Sequence, residues 1–205
     1  MATATVRATR PTQAERTAIS RDKVIRAAIH CLVTVGYAAT SITLIATTAE
    51  ISTGRMQHQF ATKAEIMAAV IDFIHQQNNR FLSLRKLKSR TPRERIAEYI
   101  HLLKKTFDED TVLAAIELRM AMKGDRELAS AIEPKFEQYD TKSFSELEDL
   151  LLAADVEQAA AHMWMRLIVA AVRGLALERV ANYRISDRID AERSLDMLVD
   201  LLLKK

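Results

Sequence analysis

Apolar residues recur at spacings of three and four along most of the 205 residues, and strict alternation is scarce, so the chain predicts an all-helical fold. The first stripe, Val24, Ile25, Ala28, Ile29 and Leu32, predicts a helix over about residues 16–35. Gly36 and Tyr37 close it, because helices commonly end where the chain turns left-handed and glycine does so without steric cost. Ser41 is placed to cap a second helix over residues 42–49, whose Ile42, Ile45, Ala46 and Ala49 share one face while Thr43, Thr47 and Thr48 face away. After a turn at Glu50 and Ile51, Ser52 caps a third helix in which Met56 and Phe60 point inward. Its other face carries Thr53, Gly54, Arg55, Gln57, His58 and Gln59, with no carboxylate among them.

From Lys63 a helix to about residue 81 lines up Ile66, Val70, Phe73, Ile74 and Phe81, suited to joining this N-terminal unit to the rest. Residues 80–95 are strongly basic, with Arg80, Arg85, Lys86, Lys88, Arg90, Arg93 and Arg95 against Glu94 alone, and read as a solvated loop or an auxiliary phosphate contact. Thr91, Pro92 and Glu94 then supply a cap, a first-turn proline and a capping-box carboxylate. Gly124 and Asp125 close a helix begun near residue 111 and open another, which Pro134 is expected to kink or break. Two long helices finish the chain, over about residues 155–183 and 187–204, with Ser186 as a cap between them. The first presents the small residues Ala159, Ala160, Ala170, Ala171 and Gly174 beside Met163, Leu167 and Leu175. The second carries Ile189, Leu195, Leu198, Val199 and Leu202 at spacings suited to a helix–helix seam.

The succession of turn, cap, helix, turn, cap and helix between Gly36 and Lys63 is that of a helix-turn-helix, whose last helix enters the major groove of DNA. The candidate DNA-binding residues are Ser41, Thr43, Ser52, Thr53, Gly54, Arg55, Gln57, His58 and Lys63. Arg55 and Gln57 have side chains that pair bidentately with guanine and adenine edges, and Gly54 lets the helix N-terminus approach closely. Lys63 is suited to holding a phosphate, which fixes register without reading sequence.

On these residues the chain resembles the TetR family of transcriptional regulators. The resemblance rests on Gly36, Tyr37, Thr40, Ser41, Ile42, Ile45, Ala46, Ala49, Glu50, Ile51, Ser52 and Gly54, followed by Phe60 and Lys63; it is close over the first third of the chain. Three positions depart from the family pattern: Glu50 replaces a glycine, Gln57 a frequent tyrosine and Gln59 a frequent histidine. A side chain in a left-handed turn costs on the order of 1 kcal/mol, so the Glu50 turn is expected to be strained or reshaped. The resemblance implies a homodimer formed through the last two helices and a near-palindromic operator. It further implies a body that encloses a small-molecule pocket and a repressor that releases DNA when an effector binds, with activation left open. Candidate pocket residues are Phe73, His101, Phe107, Met120, Tyr139, Met163 and Trp164, chosen because Met and aromatic side chains suit an adaptable apolar cavity, with His162 a further polar candidate.

Charge sharpens the division. Through Lys63 eight basic side chains face three acidic ones, a net +5, while the remainder carries −2 of the total +3, so the phosphate-binding footprint falls on the head. The opening MATATVRATRPTQAERT reads as a disordered basic arm whose Arg7 or Arg10 is either solvated or reaches the minor groove; it has no apolar segment of a secretory signal. No uninterrupted run of about eighteen apolar residues predicts a membrane span, and the single Cys31 reads as a packed thiol in a reducing, cytoplasmic setting. The five histidines include no i, i+4 pair, which gives no metal site, and no cofactor is expected. No Gly-rich phosphate loop, nucleophile elbow or His-Glu-x-x-His supports an enzyme.

The expected architecture is therefore a disordered basic arm over residues 1–18, a three-helix DNA-binding head over 19–65 and a larger helical ligand-binding and dimerisation body over 66–205. Its expected partners are double-stranded DNA, a second copy of itself and an effector, with no membrane. The alternative is a helical protein-interaction or small-molecule-binding module whose head no longer reads DNA.

Overall fold

The structure, a computed structural model, describes residues 12–82, 84, 87–107, 109–178 and 185–203. The described residues form nine helices and no strand: α1 (Gln13–Ala39), α2 (Ile42–Thr48), α3 (Thr53–Gln57), α4 (Lys63–Phe81), α5 (Pro92–Phe107), α6 (Asp110–Ala121), α7 (Arg126–Ala153), α8 (Gln158–Glu178) and α9 (Ile185–Leu203). Residues 13–18, expected to belong to a disordered arm, are helical, because Thr12 and Glu15 form a reciprocal capping box that starts α1 at Gln13. Arg7 and Arg10 lie outside the described residues.

α1 is interrupted at Gly36, whose φ of 75° and ψ of 169° take the chain out of the helix. A Cβ there would also stand 3.1 Å from Glu117 Oε1, so both conformation and space require glycine. Glu50 is the second left-handed turn residue, at φ 56°, and it keeps full end-capping geometry: its N–H donates to Thr47 O and that of Ile51 to Ala46 O. Asp155, at φ 61°, ends α7 with the same two-bond pattern through Leu152 O and Leu151 O. Pro134 neither kinks nor breaks α7 enough to end it. Leu128, Ile132 and Phe136, on both sides of it, are buried in one apolar cluster, and their burial offsets a proline cost of about 3 kcal/mol.

Two apolar clusters organise the packing, and they do not divide at residue 65. The first joins Val24, Ala28, Leu32, Ile45, Met56 and Phe60 of the head to Ile66, Val70 and Ile74 of α4, Ala114 and Leu118 of α6, and the first half of α7. The second gathers Ile96, Tyr99 and Ile100 of α5, Leu147 and Leu151 of α7, Met165, Ile168 and Val172 of α8, and Leu195 and Val199 of α9. α4 and α7 are thus shared beams that carry head and body together. Cys31 is buried, with its sulfur 3.6 Å from Thr48 Oγ1.

α8 is more apolar than the search for an unbroken run suggested, with a mean hydropathy of 1.3 over an 18-residue window, long and apolar enough by composition to cross a membrane. It packs against α5, α7 and α9, burying Ala161, Met165, Ile168, Val169, Val172 and Ala176, and it carries Arg166 and Arg173. The seam expected on α9 faces into the chain, with Leu195 and Val199 buried and Leu198 and Leu202 half-buried, while Met197 and Leu201, outside that stripe, are exposed. Ser186 lies inside the first turn of α9 and does not precede it as a cap, a correction to the expected boundary, and the Ile189 side chain lies outside what is described.

Because the Glu50 turn has every backbone bond in place and an exposed side chain, its cost is conformational only. Glu50→Gly is expected to stabilise the fold by about 1 kcal/mol, seen as a rise of about 2–4 °C in the thermal midpoint. An unchanged or lower midpoint would show that Glu50 is not strained.

Candidate nucleic-acid interface

Two serines set the reading head. Ser41 Oγ accepts from Leu44 N at 3.1 Å and caps α2; Ser52 Oγ accepts from Arg55 N at 3.3 Å and caps α3. In each case the hydroxyl proton is left to donate outward. Ile45, Ala46, Ala49, Met56 and Phe60 are buried beneath them, which fixes the angle between the two short helices. Thr43, Gly54, Arg55, Gln57 and His58 are exposed and Thr53 half-buried, so eight of the nine DNA-binding candidates lie on or cap the outer side of α2 and α3. Among the described residues no carboxylate pairs with Arg55, in contrast to Arg26, which bonds Asp22 at 2.7 Å.

Lys63 is the exception. Its Nζ donates to Tyr37 O at 2.7 Å and lies 3.6 Å from the centre of the Tyr37 ring, and burial lowers its pKa from the ordinary value against the opposing pull of Asp125. It clamps the start of α4 to the end of α1, a contact that the reading from sequence did not anticipate. Gln59 likewise turns inward, with Nε2 donating to Ser20 Oγ at 3.0 Å. Tyr37 is the centre of this junction: its N–H donates to Glu117 Oε1 at 2.6 Å and its hydroxyl to Asp125 Oδ2 at 2.5 Å. Burial and the Asp125 contact hold the phenol well above its usual pKa, and the bond from Leu128 N, followed by that from the Tyr37 hydroxyl, holds Asp125 below the usual carboxylate range.

The pocket candidates do not converge. Met120 and Met163 are exposed, as are His101 and His162, the latter 3.7 Å from Glu148. Phe73 lies on α4 beneath the Arg26 guanidinium and lines a shallow surface groove with Arg21 and Asp72. Trp164 lines a separate cavity of mixed polar and apolar lining with Arg93, Val156 and Leu202, and the Phe107 side chain lies outside the described residues. Only Tyr139 faces the interior clefts of the body, where the sequence reading overlooked Asn78, Arg119, Asp140 and Arg173. The signal available was charge out of place: Arg119 in an apolar run of α6 and Arg173 in the apolar α8.

Residues 24–70 match the family model of bacterial regulatory proteins, tetR family. Over this segment the chain is similar to the TetR family. It is similar to the HTH-type transcriptional regulator CymR of Pseudomonas putida, 28% identical over 174 residues that cover 82% of this chain and 83% of that one. Among solved structures, a transcriptional regulator from Rhodococcus sp. Rha1 shares the fold with a TM-score of 0.73 at 18% identity, covering 90% of this chain and 96% of that one. A putative transcriptional regulator from Saccharomonospora viridis, solved in complex with choline, does so with a TM-score of 0.68 at 12% identity, covering 89% and 96%. The chain is a DNA-binding transcriptional regulator and not an enzyme.

Gly54 separates the needs of the fold from those of the surface. It has an ordinary φ, and a Cβ added there meets nothing within 4 Å, so the protein itself has no use for a glycine at this point. Gly54→Ala is expected to leave thermal stability unchanged or raised by up to about 0.5–1 kcal/mol. Affinity for specific DNA, measured by fluorescence anisotropy, is expected to fall about tenfold because base contacts at this end of α3 are displaced. Unchanged affinity would mean that α3 does not approach DNA closely at Gly54.

Proposed function

We propose that this regulator is a homodimeric repressor that binds a near-palindromic operator through α3 and is released from it by a small molecule held in the helical body. The observation that carries DNA reading is the outer face of α3. It presents Gly54, Arg55, Gln57 and His58 on a capped helix, in a head that carries net positive charge, with no carboxylate pairing Arg55 among the described residues. Ser41, Thr43, Ser52 and Thr53 flank that face and serve as phosphate or edge contacts. The intact capping bonds around Glu50 favour a working head over a degenerate one.

Dimerisation is supported by an unpartnered stripe on α8. Met163, Leu167, Ala170, Gly174 and Leu177 are all exposed at helical spacing, with Met163 at 66%, and Met197 and Leu201 continue the patch on α9. Gly174 and Ala170 allow close approach, since a Cβ at Gly174 would meet nothing within 4 Å. Two heads on a twofold axis then address half-sites about one helical turn apart, a spacing that tolerates little change when an effector shifts the subunits. Effector binding is supported by the similarity to a regulator solved with choline.

The test is fluorescence anisotropy on DNA flanking the chain's own gene and on scrambled DNA across about 50–200 mM salt. Selective binding that weakens steeply with salt is expected, and Arg55→Ala should lose about 1–3 kcal/mol of it while relaxing specificity. Equal, weak binding to both DNAs and no effect of Arg55→Ala would remove the reading. Sedimentation should give a dimer for the native chain and a monomer for Leu167→Glu, which buries a charge in the stripe; a variant that remains dimeric would place the interface elsewhere.

A further inference from the structure

We infer that Gln59 is a positioning residue for DNA reading: through its bond to Ser20 it fixes the roll of α3, and with it the reach of Arg55, Gln57 and His58 into the groove. This inference rests on the reading of α3 as the helix that enters the groove. That helix is five residues long, too short to hold its own shape, so its orientation is set by what it packs on. Met56 and Phe60, four residues apart, are the buried apolar anchors of this segment. Two anchors on one line fix where the helix lies but resist rotation about that line poorly, because burial has no direction. An α-helix with its side chains is about 10–12 Å across, so a roll of about 10° displaces the outer side chains by about 1 Å. That displacement is enough to spoil a hydrogen bond to a base edge.

Two consecutive residues of α1 supply the missing restraint. Ser20, buried in α1, accepts from Gln59 Nε2 at 3.0 Å, and Arg21 lays its guanidinium over the adjoining Phe60 ring, 4.3 Å from its centre. The Gln59 bond is directional, and among the described residues it is the one side-chain hydrogen bond that ties residues 53–60 to α1. Its amide faces Ser20 and not the outer side of the head, so Gln59 acts through α3 and not on DNA itself.

The other end of the same amide shows that the bond does not serve stability alone. Gln59 Oε1 is buried and accepts no hydrogen bond among the described residues. A buried acceptor left unpaired costs free energy that an apolar side chain of the same length would avoid. Turning the amide over changes nothing, since the Ser20 hydroxyl both donates and accepts and the buried NH2 would then be the unpaired group. For packing alone a methionine would serve better. For holding α3 at one angle it would not, because it gives no directional bond.

The test uses the full chain and duplexes that it selects from a random pool, with scrambled duplexes beside them, read by fluorescence anisotropy together with thermal midpoints. Gln59→Met keeps the length and removes both the bond and the unpaired oxygen, while the Ser20 hydroxyl turns to the backbone carbonyl four residues back. It is expected to leave the midpoint unchanged or higher and binding to scrambled DNA unchanged, but to weaken the selected duplex about tenfold, the value of one base contact. Ser20→Ala strands the whole amide, so it should weaken the selected duplex to the same degree and also lower the midpoint. The double variant should lose no more affinity than either single one, because both changes break one link. A Gln59→Met chain that binds the selected duplex as tightly as the native chain would overturn the inference. So would losses that add in the double variant, which would mean that Gln59 touches DNA itself, or losses that follow the midpoint and fall on both DNAs alike, which would mean a structural role only. A native chain that selects no duplex would refute DNA reading by α3, and this inference with it.

Discussion

The break in α1 at Gly36 determines where the rest of the molecule sits. Had the helix continued, the Tyr37 N–H would be spent on the carbonyl four residues back; the left-handed glycine frees it to reach Glu117 on α6. The same residue gives its hydroxyl to Asp125, the cap of α7, and its carbonyl and ring face to Lys63 at the start of α4. Three elements thus converge on one residue, through its backbone and its side chain. Their bonds to charged groups are each worth about 1.5–3 kcal/mol, far less than the apolar cluster around them, but they are directional where burial is not. Burial holds α1, α4 and α6 together; Tyr37 sets the register in which they are held.

This arrangement gives Lys63 partners that its place in the sequence did not announce. A lysine at the start of a helix beside a DNA-reading element has the right charge and place, and only the three-dimensional course of α1 past Gly36 reveals a carbonyl and an aromatic ring within its reach. By contrast, the capping serines, the inward Met56 and Phe60 and the open Gly54 follow from local rules of spacing and cap chemistry, and they were legible. Pro134 shows the limit of local rules in the other direction, since long-range packing of Ile132 and Phe136 overrides its helix-breaking tendency.

The interior of the body was the least legible part. A search for Met and aromatic residues selects adaptable side chains wherever they stand, and Met120 and Met163 stand on the surface. Burial and dimerisation draw on the same residue types, so composition cannot separate them. Charged residues discriminate better: an arginine within an apolar stretch must find a partner, and Arg119 and Arg173 found the same one.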